Sequence, residues 1–309
     1  METIVNMEET PKAGRAKRVA FFAVLVVFAL MHVFLTPLPF AVLGWFLEEG
    51  AVSHRIHEIV FGFTFAISLF GVLTQLRKPE LRVGQMYQVV IATWLLVAAT
   101  LLVDALLDPV VIAFLVLPAV LVLLHPARSQ LLHPPRNLSK SIALLVAVAA
   151  IPLLSFAFTE FRTGLDASRV APEVLESVEN KLGEDATDDE FEAEYRAQLR
   201  DATDSNEEFE AAQHFGHWPA MGAFALIILG LAGVAALRPP GWRVPAWSAG
   251  LSAILYGSAS FANPGDASSA TGVWALLAIV WGIAVIFEAE RERRELQPAS
   301  DALGESAPA

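Results

Sequence analysis

Apolar residues in this chain fall in long unbroken runs, not in alternation. Eight runs stand out, at about 19–37, 57–76, 86–107, 109–125, 141–159, 214–237, 245–262 and 270–288. Each approaches the roughly 20 residues that a helix needs to cross a bilayer. Helices and closed barrels are the folds that satisfy backbone polar groups in lipid, and the lack of a period of two argues against a barrel. The predicted fold class is therefore an all-α integral membrane protein with eight transmembrane helices. The seventh run is the weakest, broken by Ser248, Ser252, Ser258 and Ser260. Pro37 and Pro39 predict the end or a kink of the first helix.

The polar stretches between the runs give an orientation. Basic residues gather before the first run (Lys12, Arg15, Lys17, Arg18), then at Arg77, Lys78 and Arg82, at Arg128, Arg136 and Lys140, at Arg238 and Arg243, and after the last run at Arg291, Arg293 and Arg294. These five segments alternate with poorly basic ones. The positive-inside rule puts them all in the cytoplasm, with both termini. The predicted organisation is a cytoplasmic basic N-terminus (1–18), spans one to five (19–159), an acidic extracytoplasmic segment (160–213), spans six to eight (214–288) and a cytoplasmic polar tail (289–309). The basic, polar start and the missing small-residue cleavage site make the first run a retained span. The expected setting is the cell membrane, with the lipid bilayer as first partner. The short basic clusters are topogenic and carry no nucleic-acid signal.

Charge sharpens this. The chain carries a net −12. Segment 160–213 alone holds 17 acidic and 5 basic residues, also −12, so the remainder sums to zero. The segment is expected to be partly helical. Val174, Leu175, Val178 and Leu182 form an apolar stripe closed by Gly183. Thr187 with Glu190 reads as a capping box ahead of Phe191, Tyr195 and Leu199, and Ser205 with Glu208 as a second box. The plain reading is a solvated cap; the sharper one is a cation-concentrating funnel. Five lysines beside 16 arginines, no cysteine and the acidic segment are a pattern suited to high salt, so a halophilic source is the expectation. Without cysteine there is no disulfide, thiolate metal site or thiol nucleophile.

A weak internal repeat is visible. His54-Arg-Ile-His57 opens span two and Leu76-Arg77-Lys78-Pro79 closes it; His214-Phe-Gly-His217 opens span six and Leu237-Arg238-Pro239 closes it. The offset is 160 residues at the start and 161 at the end. This repeat predicts two parallel four-helix halves.

Four of the seven histidines lie in these H-x-x-H pairs. Residues three apart share a helix face, so His54 and His57 point together, with Glu58 beside them. His214 and His217 do likewise, with Glu210 one turn earlier. Asp104 ends span three, Glu160 ends span five, and His32 lies in the outer half of span one. Neutral imidazole suits zinc, copper, iron and nickel. The candidate metal set is therefore His54, His57, His214 and His217, with Asp104, Glu58, Glu210 and His32 as further or supporting groups, and the cofactor class is a transition metal or a haem. Against this stands the plain reading of wet interfacial histidines. H-x-x-H is also weaker than H-E-x-x-H, and no catalytic residue is assigned. His125 and His133, beside Pro126 and Pro134, read as loop residues on the cytoplasmic side. Gly230, Gly233, Gly250 and Gly257 suit close helix packing.

Ser53–Pro79 with "LRKPE", "GHW" at Gly216–Trp218 and "LRPPGW" at Leu237–Trp242 look like uncharacterised polytopic membrane proteins of archaea and bacteria; the resemblance implies no activity. Haem A synthases are similar in having eight helices in two four-helix halves with outer histidines, and His54-Arg55 after Glu48 and Glu49 resembles their Glu-x-x-His-Arg motif. Glu49 and His54 are, however, five apart. Span four offers only His125, at the opposite membrane face, and span eight offers no histidine, so a bis-His haem in each half is not expected. The competing functions are a His-centred metal or haem protein, a secondary transporter or proton-responsive protein using Thr93, Thr100, Ser252 and Tyr256, a lipid-directed metal hydrolase using Asp104, and a structural or interaction protein without a ligand site.

Overall fold

The computed structural model describes residues 14–36, 38–43, 46, 55–103, 108–134, 137–183, 186–203, 216–266 and 268–296. Among these residues every regular element is helical. The elements are α1 (Arg15–Phe34), α2 (Phe40–Leu43), α3 (Arg55–Thr74), α4 (Val83–Val103), α5 (Pro109–Leu124), α6 (Arg128–Leu132), α7 (Lys140–Leu182), α8 (Asp188–Ala202), α9 (His217–Leu237), α10 (Arg243–Ala262) and α11 (Gly272–Leu296). Six of them (α1, α3, α4, α7, α9 and α11) are long and apolar enough to cross a membrane. The fourth and seventh predicted runs are also helical. α5 is shorter, at 16 residues, and α10 has 20 residues but carries the serines.

Two predicted boundaries move. Span five does not stop at 159: α7 continues for 43 residues to Leu182, about 65 Å at the helical rise. The bilayer core is roughly 30 Å thick, so α7 runs well beyond one crossing. Nothing at 159–162 breaks a helix, and Pro152 and Pro172 are both accommodated within it. Gly183 closes α7 at φ 73, in the left-handed region that glycine tolerates. α11 likewise runs past 288 to Leu296. Arg291 pairs with Glu288 and Glu295, and Arg293 with Glu290, along the helix surface. The polar tail is thus helical at its start, and it buries Glu292.

The acidic segment is helical where described. α8 packs against the projecting part of α7 through Val174, Val178, Leu182, Phe191, Tyr195 and Leu199, with Trp218 beneath. Thr187 and Glu190 form the expected reciprocal cap. The Thr187 backbone N–H and hydroxyl hold the Glu190 carboxyl below its ordinary value. That contribution is present at neutral pH and lost as acid protonates the carboxylate. Thr187→Ala should speed amide exchange in the first turn of α8 roughly fivefold, the scale of one lost N-cap; unchanged protection would show that packing alone holds the turn. The second predicted box, Ser205 with Glu208, lies outside the described residues.

The helices neighbour one another in two matching sets. In the first, α1 packs on α3, α3 on α4, α4 on α5, and α5 back on α1. In the second, α7 packs on α9, α9 on α10, α10 on α11, and α11 back on α7. Between the sets, α9 and α10 each contact α3 and α4. The turns after α3 and α9 also match. Lys78 and Arg238 are both left-handed, at φ 53 and 50. Each precedes a proline, and the N–H groups of Arg82 and Trp242 close on Pro79 O and Pro239 O, both at 2.9 Å. The paired turn residues, Lys78 with Arg238, Pro79 with Pro239 and Arg82 with Trp242, are each 160 apart. Gln88 and Ser248, 160 residues apart, meet directly: Ser248 Oγ donates to Gln88 Oε1 at 3.0 Å.

Candidate functional site

The ends of α3 and α9 place His57 and His217 in the first turn of each helix. α9 is buried along most of its length, and its packing on α3 brings the two rings together. The imidazoles stack with centroids 4.4 Å apart and planes 28° apart. Phe61, one turn below His57, extends the stack at 5.1 Å, and Trp218 flanks His217 at 5.1 Å.

A polar chain leaves this stack on one side. His217 Nε2 lies 3.0 Å from Ser268 Oγ, and Ser268 Oγ donates to Glu160 Oε2 at 3.0 Å. The serine has one proton and spends it on the carboxylate, so the Nε2–H of His217 donates to the serine. His217 and Glu160 are both buried. The loop carrying Ser268 is held in place by α10. Tyr256 Oη donates to Ser268 O at 2.8 Å, Ala270 N–H donates to Ser260 Oγ at 3.1 Å, and Arg55 Nη1 donates to Asn263 Oδ1 at 3.2 Å across to α3. The pair is thus enclosed by α3, α7, α9 and the loop after α10.

Of the residues singled out from the sequence, His57 and His217 come together, and Glu58 sits half-buried next to His57 on α3. His54, Asp104, Glu210 and His214 lie outside the described residues. His32 belongs elsewhere. It is buried in the first helix set, where Nδ1 donates to Phe28 O at 2.8 Å and Nε2 lies 2.9 Å from Ser68 Oγ. His125 lies just past the end of α5, outside any helix, and it is buried. The turn at Pro126 folds its ring inward, where Nδ1 accepts from Ala127 N–H at 3.0 Å and Nε2 reaches Gln75 Oε1 at 3.2 Å. His133 lies just past α6, in the loop expected for it, and is exposed.

Ser268, Ser68 and Asn263 had no signal in the sequence. Each is a small polar residue whose importance comes from what faces it. Ser268 carries one local mark, a left-handed φ of 58, which only the folded backbone reveals.

Among the described residues no three His, Asp or Glu side chains form a group that could hold a metal ion. The stack also has a geometric consequence. Imidazole lone pairs lie in the ring plane, and near-parallel planes keep those of His57 and His217 from converging on one ion about 2 Å from each nitrogen. Comparison with protein families, with curated proteins and with solved structures finds no match. The functional reading therefore rests on this geometry.

Proposed function

We propose that this chain is a proton-responsive protein of the cell membrane. In this reading it has eight spans in two parallel four-helix halves, with both termini in the cytoplasm. Its responsive element is the His57–His217 stack, where equivalent residues of the two halves meet. The observation that carries the reading is that stack, wired through Ser268 to the buried Glu160. The eight-span count is supported by helices at all eight predicted runs, and the two halves by their matching neighbour pattern.

Histidine changes charge between about pH 5 and 8. One protonated imidazole can stack on a neutral one. Two protonated rings 4.4 Å apart repel by ~4 kcal/mol at an effective dielectric of 20. Acidification to the doubly charged state therefore pushes α3 and α9 apart at this end. The element is a local electrostatic change acting on a contact between two packed units.

The chain has no cysteine, so introduced labels are unique. Nitroxides at Leu102→Cys on α4 and Phe261→Cys on α10, both on exposed positions, should report a longer distance at pH 5 than at pH 8 by pulsed electron resonance. His217→Gln should remove the change. A distance that ignores pH in the unmutated background overturns the reading.

The second reading is a transition-metal or haem site built from His54, His57, His214 and His217. The convergence of one histidine from each pair supports it. Binding then requires one ring to turn out of the stack. Metal analysis and visible spectra of the purified protein test it, and substoichiometric metal with no Soret band would sink it.

A further inference from the structure

A groove of about 580 Å³ opens between α3 and α10, towards the end of the molecule opposite the histidine stack. Phe63, Ala66 and Phe70 on α3 line it with Arg243, Trp247 and Leu251 on α10. Phe70 is 53% and Leu251 43% exposed, so the groove faces whatever surrounds the helices. The residues explain why it exists. The matching contact between the two helix sets is α9 against α4, and it is closed. There Gly230 stands 160 residues on from Phe70, and Ile91 stands 160 before Leu251. A Cβ on Gly230 would lie 3.1 Å from the Ile91 Cγ2 methyl. Ala223 likewise answers Phe63. Two phenyl rings, where α9 has a hydrogen and a methyl, hold α10 away from α3.

From Arg243 to Leu251 the groove follows α10 for about 12 Å at the helical rise. One leaflet of the bilayer core is about 15 Å deep, half of its roughly 30 Å. Beyond Arg243 the polar groups of the wall are spent. Ser248 Oγ gives its proton to Gln88 Oε1 at 3.0 Å, and Trp247 Nε1 gives its own to Glu290 Oε1 at 2.9 Å. Such walls accept an apolar chain. The mouth differs. Arg243 gives Nε and Nη2 to Glu290 Oε1 at 3.0 and 2.5 Å. Both bonds leave the Nη1 end of the guanidinium, on a side chain 45% exposed, open to an outside acceptor. Arg293 also binds Glu290, at 2.9 Å, so one carboxylate answers two guanidiniums. Arg77 and Lys78 lie exposed in the turn directly after α3, at the same end. The mouth therefore carries excess positive charge, with Trp247 beside it as an aromatic ring of the kind found at headgroup depth.

We propose that this groove seats an anionic glycerophospholipid, with one acyl chain along Phe63, Phe70 and Leu251 and its phosphate on Arg243. The length fits one leaflet, the walls fit a hydrocarbon chain, and the charged mouth fits an acidic headgroup. A guanidinium is well matched to phosphate oxygens, and basic pockets between membrane helices are recognised seats of acidic lipid headgroups. A zwitterionic lipid can lay the same chain in the groove, but it brings a cation of its own to a mouth that is already positive. Selection is therefore by headgroup. The lipid bridges the two helix sets where α3 and α10 stand apart. This proposal rests on the chain lying in a bilayer and on no property of the histidine stack.

The test is native mass spectrometry of full-length, delipidated protein in detergent, titrated with phosphatidylglycerol or with phosphatidylcholine of the same acyl chains. Phosphatidylglycerol should bind roughly tenfold tighter, the scale of one hydrogen bond to a charged group. Arg243→Gln should remove that preference and leave phosphatidylcholine binding unchanged. Ala66→Trp, which fills the groove, should weaken both lipids; if it does not fold, Leu251→Trp on the opposite wall takes its place. Ile151→Trp, at an exposed position on α7, should bind both lipids as the unmodified chain does. Equal affinity for the two lipids means an unselective annulus and overturns the proposal. So does normal phosphatidylglycerol binding by Arg243→Gln or by the groove-filling variant.

Discussion

Glu292→Ala is expected to cost this protein most of its stability. The carboxylate is 5% exposed as a side chain and joins three helices at the end opposite the histidine stack. Oε1 accepts from Ser139 at 2.5 Å and Ser141 at 2.7 Å. Oε2 takes Arg238 through Nε at 2.9 Å and Nη2 at 2.5 Å. Ser139 is also the N-cap of α7, accepting from Ile142 N–H at 3.1 Å, and its own N–H donates to Ala236 O on α9 at 2.7 Å. Truncation leaves a largely buried guanidinium and two hydroxyls without their acceptor. Breaking a buried pair from one side costs about 3–5 kcal/mol.

Detergent-denaturation midpoints and the monodisperse fraction after heating would measure it. Glu290→Ala is the comparison. Glu290 binds Arg243, Trp247 and Arg293, but Arg243 is 45% exposed, and the loss should be about 1 kcal/mol. Arg238→Ala in the Glu292→Ala background should add little, because the two share one interaction. Equal losses from Glu292→Ala and Glu290→Ala would show that burial of this carboxylate carries no special weight.

The second large effect is expected at the crossing of α10 and α11. A Cβ on Gly250 would lie 2.6 Å from Gly282 O and from Ile286 Cγ1. One on Gly282 would overlap Gly250 O and lie 2.9 Å from Ile254 Cγ1. One on Gly257 would overlap Ala275 O. Each of the three meets a backbone oxygen, which cannot swing aside. Within lipid, helices associate through such close packing, because the tails are as apolar as the side chains. Gly282→Ala should therefore destabilise by about 1–3 kcal/mol, the usual cost of overpacking, and Gly282→Leu by more. Gly233 is the control: a Cβ there meets nothing within 4 Å. Gly233→Ala should be neutral or gain up to about 1 kcal/mol in helix propensity. The same denaturation series reads both, and a Gly282→Ala variant as stable as Gly233→Ala would refute the packing argument.

These glycines illustrate the reach of the sequence. Gly230, Gly233, Gly250 and Gly257 read alike as small residues in apolar runs. The structure separates them. Gly250 and Gly257 sit under a neighbouring backbone, Gly230 would lie 3.1 Å from an Ile91 methyl, and Gly233 faces open space. Gly282, the partner of Gly250, carries no mark in the sequence that sets it apart. Glu292 shows the same limit. In the tail it reads as one more solvated charge, and it is buried because α11 continues far enough to meet Ser139 and Arg238.

The histidines divide similarly. The matched H-x-x-H spacing draws attention to His57 and His217. That their rings stack is not legible there, since 160 residues separate them. Ser268 and Ser68, which tie His217 to Glu160 and His32 to Thr93, come from loops and faces that only packing brings near.

By itself the sequence determined the positions and type of the helices, because an apolar run long enough to cross lipid has few alternatives once every backbone N–H and C=O must be bonded. It also determined the glycine stop at Gly183 and the Thr187–Glu190 cap of the acidic segment, because such signals act over a few residues. Which polar groups meet was decided only by the tertiary structure. Side-chain contacts between helices depend on the rotation and depth of each helix against its neighbours, and those are set by packing. Hence the histidine stack, the groove between α3 and α10 and the Glu292 clamp became visible only once the helices were placed.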